Sequence, residues 1–233
     1  MKKNEIILGD CLPVMCGLAD DSVDLILTDP PYGIGITKMF EGEWGDKKAK
    51  KRKYNSSAWD SAIPSADYFQ EMQRVAKHCI IFGGNYFAHL LPPARCWLVW
   101  DKLNGATSFA DCELAWTNLP GSVRKFEYLW NGLATLHASD KQDRVHPTQK
   151  PVGLFQAILE RYAPPGALVL DPFSGSGTTA VACHNLGLDF LCVEKDPDYH
   201  AASVARLEKH RAQGLLPLAA APVAQQAELC LGE

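Results

Sequence analysis

Short apolar runs alternate with stretches of helical spacing along most of this 233-residue chain. The runs are rich in Val, Ile, Leu and Phe, have the length of strands and end at polar or turn residues: EIILG, VDLILT, CIIFGG, CWLVW, CELAW, ALVLD and FLCVE. Between several of them lie stretches with the apolar period of a helix: SADYFQEMQRVAKH, PVGLFQAILERYA, GTTAVACHNLG and PDYHAASVARLEKHRA. The alternation predicts an α/β fold, a mostly parallel sheet with helices on both faces.

Length, charge and hydropathy narrow the class of protein. The length fits one α/β domain, predicted over residues 1–212, with an Ala-, Leu- and Pro-rich tail at 213–233. The net charge of −4 argues against a general polyanion binder, so a nucleic-acid surface would have to be local. The chain has no apolar run of membrane-spanning length and no signal-peptide core, which predicts a soluble, cytoplasmic protein without a membrane partner. The eight cysteines lack zinc-type spacing, so we expect reduced thiols and no metal site.

The stretch LILTDPPYGIG places an acid, two prolines and a tyrosine directly after a buried strand. Consecutive prolines cannot continue a sheet ladder, so we expect the chain to leave the sheet at Asp29. Because proline has a fixed φ and no N–H, backbone carbonyls face outward there, beside the carboxylate and the phenol ring. The tip formed by Asp29, Pro30, Pro31 and Tyr32 can therefore accept hydrogen bonds and stack on a ring. The same residue types also occur in an ordinary turn after a strand, which is the alternative interpretation of this stretch.

A second motif joins the strand ALVLD to Gly175, Gly177 and a helix. Glycines let the backbone approach a ligand closely, and the start of a helix offers free N–H groups. Glu194 ends the next strand, where a doubly wound fold places the carboxylate that binds ribose hydroxyls. The motif predicts a nucleoside-cofactor site. NAD stays open on the spacing alone, although the loop has neither the full glycine pattern of a dinucleotide site nor the lysine of a phosphate loop.

Four motifs together resemble those of a known family. LGDCLPVM, TDPPYGIG, HPTQKPVGLF and DPFSGSGTTAVACHNLGLDFLCVEKDPDY are similar to the motifs of the DNA amino-methyltransferases, in the permuted (beta) class whose catalytic motif precedes the cofactor glycines. The resemblance covers most of residues 4–210. It implies a Rossmann-like fold that binds S-adenosyl-L-methionine. It also implies an adenine-N6 methyltransferase of double-stranded DNA, because Asp-Pro-Pro-Tyr is mainly the adenine version of the tetrapeptide and the cytosine version usually begins with serine.

The resemblance also implies which residues contact the cofactor. Those of the cofactor loop are Asp171, Phe173, Gly175, Gly177 and Thr178, and Glu194 would hold the ribose. Asp10 and Cys11 would lie beside the cofactor's adenine, and Thr148 and Lys150 near its methionine end, where an ammonium can meet a carboxylate.

The same resemblance gives the proline tip a chemical role. An exocyclic adenine amine is a poor nucleophile, because its lone pair is delocalised into the ring. The Asp29 carboxylate and the Pro30 carbonyl would each accept one N–H and aim the lone pair, while Tyr32 stacks on the base. Since the ring face does the stacking, we expect the Tyr32 hydroxyl to be dispensable. The target amine is inaccessible inside a duplex, so the base must be flipped out.

Two segments outside the alternating pattern are candidates for DNA contact. Residues 36–63 hold the run KKAKKRKY, which is either a solvated, mobile loop or a phosphate-contacting loop that uses Lys47, Lys48, Lys50, Lys51, Arg52 and Lys53. Residues 117–145 form an irregular insertion, either a surface hairpin or a target-recognition region that uses Arg124, Lys125, Tyr128 and Trp130. The insertion is short for a recognition region, which favours a homodimer or a short target.

Two other classes of function stay open at this point. The same acceptor geometry serves any planar amine, so cytosine N4 in DNA, RNA or a protein amide are alternative substrates. A cofactor-sensing DNA-binding protein without turnover is a third hypothesis, against which the intact catalytic and cofactor motifs argue.

Overall fold

The computed structural model describes residues 2–35, 60–105, 110–130 and 148–212. Within these ranges eight strands form one sheet: β1 (Glu5–Leu8), β2 (Val23–Thr28), β3 (Ala76–Phe82), β4 (Trp97–Asp101), β5 (Cys112–Thr117), β6 (Arg124–Glu127), β7 (Leu168–Asp171) and β8 (Asp189–Glu194). The helices of the same ranges are α1 (Cys11–Cys16), α2 (Ala66–Val75), α3 (Val152–Tyr162), α4 (Thr178–Leu186) and α5 (Pro197–Ala212).

The sheet has the strand order β1-β8-β7-β2-β3-β5-β4-β6. The first five strands are mutually parallel, and β5 runs antiparallel to both of its neighbours. Because β5 is reversed, its first residues lie at the edge of the sheet where the parallel strands end. The predicted α/β, Rossmann-like fold is confirmed, and its carboxyl edge collects residues from distant parts of the sequence.

Alternating side chains of the central strands pack into two apolar cores, one on each face of the sheet. On β2, Leu25 and Leu27 point into the core that contains α3 and α4, whereas Ile26 points into the core that contains α1 and α2. All three side chains are fully buried. Burial on both faces explains why the central strands read as continuous apolar runs rather than as alternating ones.

The structure differs from the sequence-based interpretation at two elements. The helix predicted through His78 ends at Val75, and β3 begins at Ala76, because Ala76 pairs with Val23 of β2. Residues 124–127 of the predicted irregular insertion form the edge strand β6, parallel to β4. The basic run at 47–53, most of the predicted loop at 36–63 and the tail at 213–233 lie outside the described residues.

In the part of the chain that the structure describes, no helix is both long and apolar enough to span a bilayer. The predicted cytoplasmic location and the predicted domain limits stay predictions.

Candidate active site

The proline tip follows β2 directly and is held by hydrogen bonds at both ends. The hydroxyl of Tyr32 donates to Asp29 Oδ1 at 2.6 Å, and the backbone N–H of Gly33 donates to Asp60 Oδ1 at 2.8 Å. Asp60 itself is 2% exposed, so it fixes the loop from inside the protein. Among the residues that the structure describes, no donor reaches the Pro30 carbonyl.

A cluster of two lysines and two carboxylates surrounds the tip. Lys150 Nζ lies 2.5 Å from Asp29 Oδ2 and 3.1 Å from Glu113 Oε2. The other oxygen of Glu113, Oε1, lies 2.7 Å from Lys102 Nζ. Lys150 is 6% exposed as a side chain, which is rare for lysine and requires these partners. Two positive and two negative groups leave the cluster without net charge.

Burial and mutual contacts shift the pKa values of this cluster in different directions. Burial raises the pKa of Asp29, and Glu113 adds to this shift while Lys150 opposes it. Burial also disfavours the charge of Glu113, but the ammonium groups of Lys150 and Lys102 outweigh it and lower the pKa of Glu113 to about 2. Burial disfavours the charge of Lys150, yet Asp29 and Glu113 together raise its pKa. Lys150 and Glu113 are therefore fixed charges, and Asp29 is the member of the cluster whose proton affinity is increased.

The ring of Tyr32 is packed tightly on one side and stacked on the other. Tyr86 stacks on it with ring centroids 4.8 Å apart and 16° between the planes, and Phe87 meets it edge-on at 6.0 Å. Tyr86 is 41% exposed, so a solvent-facing side chain covers this face. Gly83 lies against the ring, where a Cβ would collide with it. The expectation that the Tyr32 hydroxyl has no polar role does not fit its hydrogen bond to Asp29.

We expect Gly83→Ala to lower kcat at least ~10-fold, because the added methyl group displaces Tyr32 and with it the hydrogen bond to Asp29. Gly166→Ala is a matched control, since both glycines have φ of +72° but nothing lies within 4 Å of a Cβ at position 166. Both variants carry the left-handed backbone cost of about 1–2 kcal/mol in unfolding free energy. Thermal melts measure the loss of stability in each variant, and steady-state kinetics measure the loss of kcat. Equal kcat values for the two variants would contradict the packing role of Gly83.

The glycine loop connects β7 to α4 and is organised by Asp171. The Asp171 carboxylate accepts hydrogen bonds from the hydroxyls of Thr28 (2.7 Å) and Thr179 (2.5 Å) and from the backbone N–H of Phe173 (3.1 Å). Burial raises the pKa of Asp171 to about 6. Its oxygens are used within the protein, so Asp171 shapes the loop rather than presenting a free carboxylate.

Two glycines of the loop adopt backbone conformations that other residues avoid. Gly175 has φ of +49°, and Gly177, at the N-terminus of α4, has φ of +73°. The hydroxyl of Thr178 donates to the Lys150 carbonyl at 3.1 Å. This bond connects the predicted cofactor loop to the segment that carries Lys150.

Two carboxylates lie on the β8 and β1 side of the glycine loop, one at the end of β8 and one just beyond the end of β1. Glu194 accepts hydrogen bonds from the backbone N–H groups of Gly175 and Asp196, both at 2.7 Å, and burial raises its pKa. Asp10 caps α1 through the Leu12 N–H at 2.9 Å and accepts from the Tyr68 hydroxyl at 3.0 Å. Cys11 is buried beside Asp10, and burial raises the pKa of its thiol, so it acts there as a small apolar group.

One cavity of 1360 Å³ joins the two motifs. Most of the predicted catalytic and cofactor residues line it: Asp10, Cys11, Asp29, Pro30, Pro31, Tyr32, Thr148, Lys150, Asp171, Phe173, Gly175, Thr178 and Glu194. Gly177 is the one predicted cofactor residue that does not line the cavity. It lies in the turn that precedes α4. The volume and the lining suit a ligand of nucleoside size together with a second planar group.

Several predicted residues have other surroundings than the sequence suggested. Lys150, predicted beside the methionine end of a cofactor, contacts Asp29 and Glu113 here. Tyr128 and Trp130, predicted for base recognition, are each 8% exposed and belong to the apolar core, although Trp130 also lines the cavity.

Arg124 and Lys125 are exposed on the edge strand β6, away from the apolar core. Lys125 Nζ pairs there with Glu127 at 2.5 Å and with Asp101 at 3.5 Å. An exposed basic side chain on an edge strand stays a candidate for phosphate contact.

Sequence reasoning missed three groups that complete the site. Glu113 and Lys102 lie at strand ends and look like ordinary polar flanks in the sequence. Tyr68, on α2, donates to Asp10, and its ring centroid lies 5.9 Å from that of Phe173. The available signal was Glu113 near the start of the apolar strand CELAW, since a carboxylate beside a buried strand needs a partner.

The fold is the Rossmann-like fold of S-adenosylmethionine-dependent DNA methyltransferases. The family model for DNA methylases of the N6/N4 type matches residues 97–205. YubD of Escherichia coli (strain K12), which carries a methylase name, is 29% identical over 216 residues, covering 88% of this chain and 90% of the relative. The type II methyltransferase M.HinfI of Haemophilus influenzae is 23% identical over 253 residues, covering 88% of this chain and 68% of the relative.

Solved structures of DNA methylases share the fold. The M1.HpyAVI complex with S-adenosylmethionine gives a TM-score of 0.52 at 22% identity, covering 87% of this chain and 98% of that one. The DNA modification methylase TTHA0409 of Thermus thermophilus, complexed with S-adenosyl-L-methionine, gives a TM-score of 0.54 at 19% identity. The match covers 88% of this chain and 95% of that one. The resemblance predicted from the sequence is confirmed: residues 97–205 match the model of the N6/N4 DNA methylases, and both relatives carry methylase or methyltransferase names. The family uses S-adenosyl-L-methionine, which confirms the predicted cofactor.

Proposed function

We propose that this protein transfers a methyl group from S-adenosyl-L-methionine to the N6 amine of a flipped-out adenine in double-stranded DNA. The observation that carries the proposal is the pair of acceptors at the proline tip, in the same cavity as the glycine loop: the Asp29 carboxylate and the Pro30 carbonyl, to which no described residue donates. An exocyclic amine has two N–H groups, and two fixed acceptors match them.

The donor set of the cavity fits the proposed cofactor. The carboxylate of Glu194, at the end of β8, suits ribose hydroxyls, and the rings of Tyr68 and Phe173 suit a purine. Asp10, which caps α1 beside Cys11, offers a further acceptor at the purine end. S-adenosyl-L-methionine supplies an electrophilic methyl group on its sulfonium. The chain itself supplies position and charge.

Asp29 and its neighbours direct the amine in the proposed reaction. A carboxylate has about four acceptor positions, so Asp29 can accept an amine N–H while it keeps one of its present donors. When the Asp29 carboxylate and the Pro30 carbonyl each accept one N–H, they draw the amine toward tetrahedral geometry. Its lone pair is then concentrated on the side away from the two acceptors. The methylated amine then has a proton to lose, and Asp29, whose pKa is raised by burial, is the group placed to take it.

Tyr32 supplies the proposed stacking surface for the base. The flat stack of Tyr86 on Tyr32 supports this role, because it shows a planar group lying on this ring face. The base would take the place of Tyr86 or extend the stack at the exposed side. Base–aromatic stacking contributes about 1–3 kcal/mol and depends little on the identity of the base.

Adenine is favoured over cytosine by the acid at position 29. The charged carboxylate is a stronger acceptor than the serine hydroxyl that usually begins the cytosine version of the tetrapeptide. Cytosine N4 is the second candidate, because PvuII methyltransferase, described as cytosine-N4-specific, shares the fold with a TM-score of 0.53 at 15% identity, covering 89% of each chain.

The proposed DNA contacts combine phosphate binding and base flipping. Arg124 and Lys125 on the edge strand, together with the basic run at 47–53, are proposed to contact phosphates, which gives affinity without sequence information. The remainder of the insertion, residues 131–145, is proposed to take part in target recognition, and a homodimer would extend a short recognition surface.

The experiment that tests the proposed function uses methyl-labelled S-adenosyl-L-methionine and genomic DNA without prior methylation. We expect label in N6-methyladenine, at one short sequence when the modified sites are mapped. Label in N4-methylcytosine would reassign the substrate base. Label in RNA or protein, with none in DNA, would overturn the proposal.

We expect Glu194→Gln to weaken cofactor binding about 10- to 100-fold, because a hydrogen bond to a charged acceptor contributes about 1.5–3 kcal/mol. Glutamine keeps the size of the side chain and removes its charge. Glu208→Gln, at an exposed carboxylate that pairs with Arg211 on α5, is the control for loss of a surface charge. Titration calorimetry gives the Kd of each variant, and an unchanged Kd for Glu194→Gln would remove this residue from the cofactor site.

A further inference from the structure

Both oxygens of Asp29 already accept a hydrogen bond in this structure, although Asp29 is the proposed acceptor for the target amine. Oδ1 accepts from the Tyr32 hydroxyl at 2.6 Å, and Oδ2 lies 2.5 Å from Lys150 Nζ. Both donors point at the carboxylate that the amine must reach. An incoming N–H group therefore competes with two strong hydrogen bonds, one of them to a buried ammonium.

The same two donors lie within reach of a second carboxylate. Glu113 Oε2 is 3.1 Å from Lys150 Nζ and 3.3 Å from the Tyr32 hydroxyl. The phenol has one proton to donate, so it can satisfy either Asp29 or Glu113 at a given moment. The ammonium has three donors and can hold both carboxylates or shift between them. Turning the donors from Asp29 to Glu113 needs movements of less than a bond length.

Glu113 is held in place for this role by parts of the protein that do not touch Asp29. Its Oε1 is 2.7 Å from Lys102 Nζ, and residue 113 pairs with Trp100 in the β4–β5 ladder. The side chain of Glu113 is 20% exposed, and that of Lys102 is 15% exposed. Anchored at Oε1, the carboxylate keeps Oε2 directed at Lys150 and Tyr32.

We propose that Glu113 is a positioning residue that receives the hydrogen bonds of Lys150 and Tyr32 when the target amine takes their place on Asp29. The inference rests on the proposed function of the Asp29 site. Without Glu113, Asp29 is the one carboxylate among the described residues that pairs with Lys150, and the amine has to displace this buried ion pair. A buried ammonium left without an acceptor is strongly unfavourable, so this displacement would be rare.

The kinetic test compares Glu113→Gln with Glu113→Asp. We expect Glu113→Gln to lower kcat roughly 10- to 100-fold, the loss of one charge-assisted acceptor, with the KM for S-adenosyl-L-methionine within about twofold of the wild type. Glu113→Asp keeps the charge on a side chain one methylene shorter, so we expect it to recover at least part of the lost rate. Glu208→Gln, the surface control, should behave as the wild type.

Two kinetic results would overturn the proposal. One is a wild-type kcat for Glu113→Gln. The other is a parallel loss of kcat, cofactor affinity and thermal stability that Glu113→Asp fails to recover, which would indicate a general structural role.

A titration without DNA distinguishes failure of this inference from failure of the proposed function. Carbon-13 NMR of labelled aspartate carboxyls follows the titration of Asp29 among the groups that face it, namely Lys150, Tyr32, Glu113 and Asp171. We expect the pKa of Asp29 to fall in Glu113→Gln, because a neighbouring negative charge is removed and Lys150 is left with Asp29 alone. An unchanged pKa would show that Glu113 does not share these donors, whatever the substrate of the enzyme.

Discussion

Asp29→Ala is expected to lower kcat by ~10²-fold or more while the protein folds and binds S-adenosyl-L-methionine normally. The lost acceptor acts on the amine in the transition state, where removal of one fixed hydrogen-bond partner typically has an effect of this size. The fold should survive because Lys150 keeps Glu113 as a partner at 3.1 Å, and the Tyr32 hydroxyl has Glu113 at 3.3 Å. Single-turnover methyl transfer and calorimetric Kd values measure the two parts of this expectation.

Asp29→Asn is the closer control, since it keeps the shape and one acceptor oxygen but removes the charge. We expect it to be impaired nearly as severely, because a neutral amide is a weaker acceptor and gives Lys150 no counter-charge. If Asp29→Ala transferred methyl groups at the wild-type rate, the assignment of the proline tip as the catalytic element would be wrong.

Lys150→Met is expected to have the second large effect, a fall in kcat of ~10²-fold or more at pH 7 with partial recovery at higher pH. Lys150 lowers the pKa of Asp29 against the upward shifts from burial and Glu113. Without the ammonium, the pKa of Asp29 rises, so the carboxylate is protonated over a wider range and accepts from the amine only at higher pH. The acidic limb of the pH–rate profile should therefore move to higher pH.

The cofactor role first predicted for Lys150 gives a different result for the same variant. If its ammonium bound the methionine carboxylate of the cofactor, Lys150→Met would raise the Kd for S-adenosyl-L-methionine and leave the pH profile in place. Lys77→Met is a suitable control, because Lys77 is an exposed lysine paired with Asp24 near the opposite edge of the sheet. A raised Kd with an unshifted profile would favour the cofactor role.

Most of the fold could be predicted from local pattern. Helices α3, α4 and α5 lie within the stretches of helical spacing, because each has enough apolar residues to pack against the sheet. Strand β6 was not predicted, since RKFE has one half-buried residue and no buried one. It forms because β4 offers an unpaired edge, which is a property of the assembled sheet and not of the four residues.

The part of the candidate site that could be predicted is the part whose residues lie close together in the sequence. Asp29 and Tyr32 are three residues apart, and their hydrogen bond follows from the proline tip itself. Glu113 and Lys102 reach the site through pairing between β4 and the reversed strand β5, in which residues 101 and 112 are opposite each other. Strand direction and register are set by the whole sheet, so no local pattern identifies either residue as part of the site.

The most direct test of the central claim is a comparison of wild-type protein with Asp29→Ala in one nucleoside analysis. Unmethylated genomic DNA is incubated with methyl-labelled S-adenosyl-L-methionine and each protein, at concentrations where calorimetry shows equal cofactor occupancy. We expect N6-methyladenine with the wild type and at most about 1% of that amount with Asp29→Ala in the same time. Equal N6-methyladenine from both proteins, or labelled DNA without N6-methyladenine, would contradict it.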